Sequence, residues 1–116
     1  MQVFLESSSV VLPRNESQVL TTHFRTSFER FASRIQSLSV SLKDVNGPRG
    51  GRDKICMIRV ELAKGGQIIV RERSSKLRRA ITKSIRRARA LIAHELKRRD
   101  RHYARPPVLN SAEALR

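Results

Sequence analysis

The sequence predicts a two-layer α/β (α+β) domain in the order β-α-β-β-β-α, with a four-stranded sheet and two helices packed on one face. Three observations predict it. Apolar residues alternate with polar ones in four short stretches, as strands with one buried face require. In two longer stretches they recur at three- and four-residue intervals, which is helical spacing. Each helix then has one apolar stripe and the sheet one apolar face, so all three are satisfied together if both helices cover the same side.

The elements follow in order. Residues 2–7 alternate, with Val3 and Leu5 on one face and Gln2, Phe4 and Glu6 on the other. Asn15 can cap a helix and Gln18 stands three residues on, close to a capping box. Leu20, Phe24, Phe28 and Phe31 then mark a helical stripe from about residue 16 to 33. Leu38, Val40 and Leu42 alternate with Ser37, Ser39 and Ser41, a second strand with one wet face. The run Asn46-Gly47-Pro48-Arg49-Gly50-Gly51 leaves no room for an element to continue and reads as a loop. A third strand points Cys56, Ile58, Val60 and Leu62 inward, and Met57, Arg59 and Glu61 outward. Gly65-Gly66 turns the chain into a fourth strand carrying Ile68 and Val70. A three-residue turn, Lys64-Gly65-Gly66 with Gly66 left-handed, would pair Leu62 with Ile68 and Val60 with Val70 and keep all four inward.

The last helix, residues 76–101, carries most of the chemistry. It holds eleven Lys or Arg against two acids, Glu95 and Asp100, for a net +9 out of +15 in the whole 116-residue chain. Leu77, Ile81, Ile85, Ala88, Ile92 and Leu96 form its apolar stripe. Lys76, Arg79, Lys83, Arg86, Lys97 and Arg101 fall on or near the opposite face. Ordinary solvated faces mix signs and pair Glu with Lys four residues on. Here acids are nearly absent before Glu95, so the face reads as a surface for a polyanion, nucleic acid first of all. The exposed sheet face adds Lys43, Arg59, Arg71 and Arg73.

Length and composition bound the rest. The chain is one domain, residues 1–102, followed by a flexible tail, 103–116, with two prolines and little periodicity. No apolar run approaches the roughly 20 residues of a membrane span. The N-terminus lacks a basic n-region and a long apolar h-region, so no signal peptide is expected. A basic amphipathic helix can lie on an anionic membrane. Against that, this stripe has no Trp or Phe, and strand faces elsewhere need covering. One cysteine, Cys56, leaves no internal disulfide or Cys-based zinc site, and the compartment expected is the cytoplasm.

Catalytic readings fare poorly. His23, His94 and His102 are widely spaced, and His94-Glu95 is not followed by a second His at zincin spacing. Asp44 and Asp53 flank the Gly-rich loop, but two acids amid this much positive charge read as partners of neighbouring arginines. The loop has no Lys-Ser/Thr ending and does not run into a helix, so a strand connection outweighs a phosphate cradle, although Arg49 and Arg52 put two cations on it. No enzyme activity, cofactor, metal or small-molecule substrate is expected. Phe4 and Tyr103 are the aromatics left for base stacking; recognition by backbone charge and shape fits better.

The stretch from Asp44 to Gly51, DVNGPRGG, followed by Asp53-Lys54 and the strand from Ile55 to Val60, resembles the ribosome hibernation-promoting factor family. That family is also called sigma-54 modulation proteins or ribosome-associated inhibitors. The resemblance covers about residues 1–101 and includes the basic final helix with Ala80 and Ile81 near its start. It implies the β-α-β-β-β-α fold and binding to rRNA of the small ribosomal subunit, in the decoding channel where messenger and transfer RNA would lie. Blocking that channel inhibits translation and protects idle ribosomes under stress. It implies rRNA contacts at Arg79, Lys83, Arg86 and Arg87, with Arg25 on the first helix and Arg49 in the loop next. The chain ends at Arg116 without the C-terminal domain that joins two ribosomes in long members, so it resembles the short form. Two alternatives compete: a general basic RNA-binding protein with no defined ribosomal site, and a regulator binding an acidic protein partner.

Overall fold

The computed structural model describes residues 1–8, 10, 12–45 and 54–104, with side chains through Arg101. The four alternating stretches form β1 (Gln2–Ser7), β2 (Ile35–Asp44), β3 (Lys54–Leu62) and β4 (Gln67–Ser74). The two stripes form α1 (Arg14–Ser27) and α2 (Leu77–Ala104). This is the expected order and fold class, a two-layer α+β domain. The strands lie side by side as β1-β2-β3-β4; β1 runs parallel to β2, and the remaining pairs are antiparallel. A parallel first pair is what α1 makes possible, since parallel strands need a crossover.

The core lies between the helices and one sheet face. Phe24, Phe28, Leu38, Leu42, Ile58, Val60 and Ile92 are almost wholly buried there, together with Cys56, Val70 and Ala88. Burying each large side chain contributes about 1.5–3 kcal/mol. Every residue of the expected α2 stripe is in or against this core. Two positions outside that stripe join it, Ala80 and Ser84, because β4 comes up close beside the helix. Ser84 donates to the Ile81 carbonyl (2.9 Å) and contacts Cys56 Sγ (3.1 Å), so its hydroxyl is satisfied although wholly buried. Burial pushes the Cys56 thiol up to about 11.

Three local expectations are corrected. The first helix starts at Arg14 with Pro13 as its N-cap, not at Asn15; Asn15 makes no capping bond. Proline suits the site because its φ of −57° is already helical and its carbonyl accepts from Ser17 (3.0 Å). The helix also ends at Ser27 and gives way to a 3₁₀ turn, Glu29–Phe31. Thr26 and Ser27 are weak helix formers, and Ser27 Oγ takes the His23 carbonyl (2.8 Å). Phe31 still reaches the core from the tighter turn. The β3–β4 hairpin closes one residue earlier than expected. Leu62 N donates to Gly66 O (3.0 Å), the loop is Ala63-Lys64-Gly65, and Val60 pairs with Ile68. Parity was preserved, so the apolar residues still face inward, but parity cannot distinguish registers two residues apart. Both Gly65 (φ +94°) and Gly66 (φ +89°) occupy left-handed backbone, which explains the pair of glycines.

The loop around Asn46–Gly51, with Arg49, Arg52 and Asp53, lies outside the described residues, as do residues 105–116 of the expected tail and the Tyr103 side chain. Helix α2 continues to Ala104, past the expected end at Arg101.

Candidate nucleic-acid interface

Helix α2 arranges its cations in three rows around its axis, because each residue advances by about 100°. On the crest, away from the sheet, stand Lys76, Arg79 and Arg86, all exposed. Lys76, Arg79 and Arg86 share one shallow surface of about 560 Å³ with Arg78, Thr82 and Lys83. The helix begins here because the Ser74 hydroxyl accepts from Lys76 N (3.3 Å) and Lys76 O accepts from Ala80 N (3.1 Å).

The flank facing α1 carries Arg78 and Arg89. Beside it runs a groove of about 460 Å³ whose walls are His23, Ser27 and Arg30 on one side and Thr82, Arg86 and Arg89 on the other. Arg30 is held with its guanidinium 4.5 Å from the Phe31 ring centroid, a cation–π contact that stiffens a long side chain. Ile85, Ala90 and Ala93 complete the lining; three arginines and His23 are among the nine residues, and no acid lines the groove among the described residues.

The flank facing β4 is different. Glu72, only 18% exposed, accepts from Arg87 Nη1 (2.8 Å) and lies 3.8 Å from Lys83 Nζ. Lys83 also donates to the Arg73 carbonyl (3.3 Å). These two cations are partly committed to the protein itself.

The C-terminal part of α2 is committed further. Glu95 accepts from Arg98 (2.7 Å) and Arg99 (2.8 Å), and Asp100 accepts from Arg34 (2.9 Å). Arg99 also donates to the Gly65 carbonyl (2.9 Å), fastening the helix to the β3–β4 turn. Hydrogen bonds from Arg98 and Arg99 hold the Glu95 carboxyl down at about 2, and the bond from Arg34 lowers Asp100.

The predicted site residues therefore separate. Lys76, Arg79, Lys83 and Arg86 are brought together, with Arg87 round the β4 flank. Lys97 is exposed on the same side but about 16 Å further along the helix from Arg86. Arg25 donates to the Met1 carbonyl (3.4 Å), away from the groove. Arg49 and Arg52 lie outside the described residues. Arg78, Arg89, Arg30 and His23 were missed. Arg78 and Arg89 each adjoin a core position, Leu77 and Ala88, so a helical wheel puts them on the flank; only the placement of α1 turns that flank into a groove wall. Among the described residues, Lys76, Arg78, Arg79, Arg86 and Arg89 make no ion pair. No group of three or more His, Cys, Asp or Glu among the described residues could hold a metal, and no helix is long and apolar enough to cross a membrane.

The fold is shared with two solved structures. One is a ribosomal subunit interface protein from Coxiella burnetii, with a TM-score of 0.64 at 12% identity, over 84% of this chain and 99% of that one. The other is the N-terminal domain of Protein Y from Thermus thermophilus, with a TM-score of 0.62 at 17% identity, over 79% of this chain and 96% of that one. At these identities the likeness is one of fold, and it is the fold that the resemblance around DVNGPRGG implied. No protein-family model and no curated protein matches the chain.

Proposed function

We propose that the chain binds rRNA of the small ribosomal subunit and inhibits translation by occupying the decoding channel, where messenger and transfer RNA would otherwise lie. The observation that carries this is the run of five cations without ion pairs among the described residues, Lys76 just before α2 and Arg78, Arg79, Arg86 and Arg89 on it. A cationic row along a helix follows a phosphate backbone, and each contact releases a condensed counterion. The shared fold with a ribosomal subunit interface protein directs the choice of polyanion to the ribosome. Inhibition on this reading is steric; no bond is made or broken, and no cofactor takes part.

The reading is tested by co-sedimentation of the purified chain with isolated small and large subunits, with and without messenger and transfer RNA. Saturation at one copy per small subunit, reduced by those ligands, supports a channel-blocking inhibitor. Equal, unsaturable binding to both subunits assigns the charge to general RNA binding. Five phosphate contacts predict a slope of about −3.5 to −4.5 in log affinity against log salt.

A further inference from the structure

The sheet face turned away from the helices has its own pattern. In register across the four strands stand Phe4, Ser39, Arg59 and Ile69; the next row is Glu6, Ser41, Met57 and Arg71. Phe4 is 54% exposed and Ile69 51%, so this face keeps two large apolar side chains in solvent. Next to Phe4 the neighbouring strand β2 presents three small side chains in succession, Ser37, Ser39 and Ser41, before Lys43 near its end. In register, this strip of serines lies between Phe4 of β1 on one side and Met57 and Arg59 of β3 on the other. Lys43, Arg59, Arg71 and Arg73 are exposed on this face and make no ion pair among the described residues. They outnumber its acids, Glu6 and Glu61.

We propose that this outer sheet face is a second RNA surface, and that it takes a single strand rather than a duplex. An exposed ring on a sheet offers a base a stacking partner, and the serine floor lets a flat base approach the backbone closely. Strands lie about 4.8 Å apart, so Phe4 on β1 and Arg59 on β3 stand about 10 Å apart across the serine strip, room for an unstacked base with its phosphate. Arg59 and Arg71 then meet phosphates beyond the β2 floor. A duplex could not bring a base edge against Phe4 without opening. A protein partner would have to supply acids against four cations while covering a face floored by serine, which the charge balance favours less than phosphate. The proposal rests on the reading above only for RNA as the polymer; it assigns a different face and a different form of RNA.

The test uses the full chain, titrated by fluorescence anisotropy with labelled single-stranded oligouridine and with a labelled RNA hairpin. Replacing Phe4→Ala and Arg59→Ala together weakens oligouridine binding about tenfold or more, and hairpin binding by less than about twofold. Phe4→Tyr retains binding, and Phe4→Leu loses it although the apolar area is nearly kept. Circular dichroism melts check the fold; if the Phe4→Ala chain is unfolded, Arg59→Ala with Arg71→Ala gives the same reading from the cationic wall. Oligouridine binding that survives these changes overturns the proposal, as does binding lost only when Arg79, Arg86 and Arg89 are replaced. A Phe4→Leu chain that binds as the native one does also overturns it, assigning the apolar pair to something other than base stacking. Because the oligonucleotide assay needs no ribosome, a chain that fails to co-sediment with subunits refutes the earlier reading and leaves this result legible.

Discussion

The two halves of α2 use their cations differently: two of the six Lys and Arg in residues 77–90 pair with an acid on a neighbouring strand, and two of the four in residues 91–104 pair with an acid on the helix itself. In the first half no acid lies on the helix, and among the described residues Glu72 of β4 is the carboxylate that pairs with it, engaging Lys83 and Arg87 and leaving the crest and the α1 flank alone. In the second half Glu95 and Asp100 draw Arg98, Arg99 and Arg34 into pairs that tie the helix to the β3–β4 turn and to the segment after the 3₁₀ turn. Most of the charge in the first half is surplus, whereas in the second half Arg98 and Arg99 are engaged in the fold and Lys97 and Arg101 make no ion pair among the described residues. Net charge alone does not single out candidate contacts; the cations without ion pairs among the described residues are the ones the proposed interface uses.

The comparison is broken most severely by removing the surplus. Arg79→Ala, Arg86→Ala and Arg89→Ala together should lower RNA affinity by a hundredfold or more at low salt, on the order of three phosphate contacts, and flatten the salt slope by about three. The melting temperature should stay within a few degrees, since all three side chains are exposed. A triple variant that binds normally would move the principal site to the sheet face. The converse is Ile92→Ala, beneath both halves and wholly buried. It should cost about 2–5 kcal/mol in urea unfolding while leaving the affinity of the folded fraction unchanged.

Glu72→Gln sharpens the distinction by moving two cations from one category to the other. With Lys83 and Arg87 released, RNA binding should tighten severalfold and the salt slope steepen by about 1.4–1.8, measured in the same titration. No change would mean that these two side chains face away from the RNA. The smallest effect is expected at the paired end. The Glu95 carboxyl is held at about 2 against an ordinary 4.5, so its contribution to stability is present above pH 4.5 and is lost as pH falls towards 2. Thermal melts of Glu95→Gln should lie slightly below those of the native chain at neutral pH and converge with them near pH 2. Melts that stay parallel throughout would show that the Arg98 and Arg99 contacts contribute nothing.

How much of this was legible in advance depended on the range of the interaction involved. The apolar stripe from Leu77 to Leu96 and the alternation of Leu38, Val40 and Leu42 with serines report only which face is buried, and burial has the same period as the backbone. They therefore specified the elements, the layers and the outward side of α2 without reference to anything distant. The end of α1 at Ser27 was less visible, because the Phe24–Phe28–Phe31 spacing suits an α-helix and a 3₁₀ turn almost equally. At the β3–β4 hairpin, alternation was satisfied by either of two registers, and the positions of Gly65 and Gly66 in left-handed backbone chose between them.

By itself, then, the chain's pattern of residues determined a β-α-β-β-β-α domain with a cationic helix turned to solvent, because periodicity and net charge are local properties. Only the tertiary structure decided which cations are free. That depends on contacts between residues far apart in the chain: Glu72 with Arg87, Arg34 with Asp100, and α1 beside Arg86 and Arg89. An ion pair or a groove wall is set by distances of a few ångströms across the fold, which no spacing along the sequence encodes.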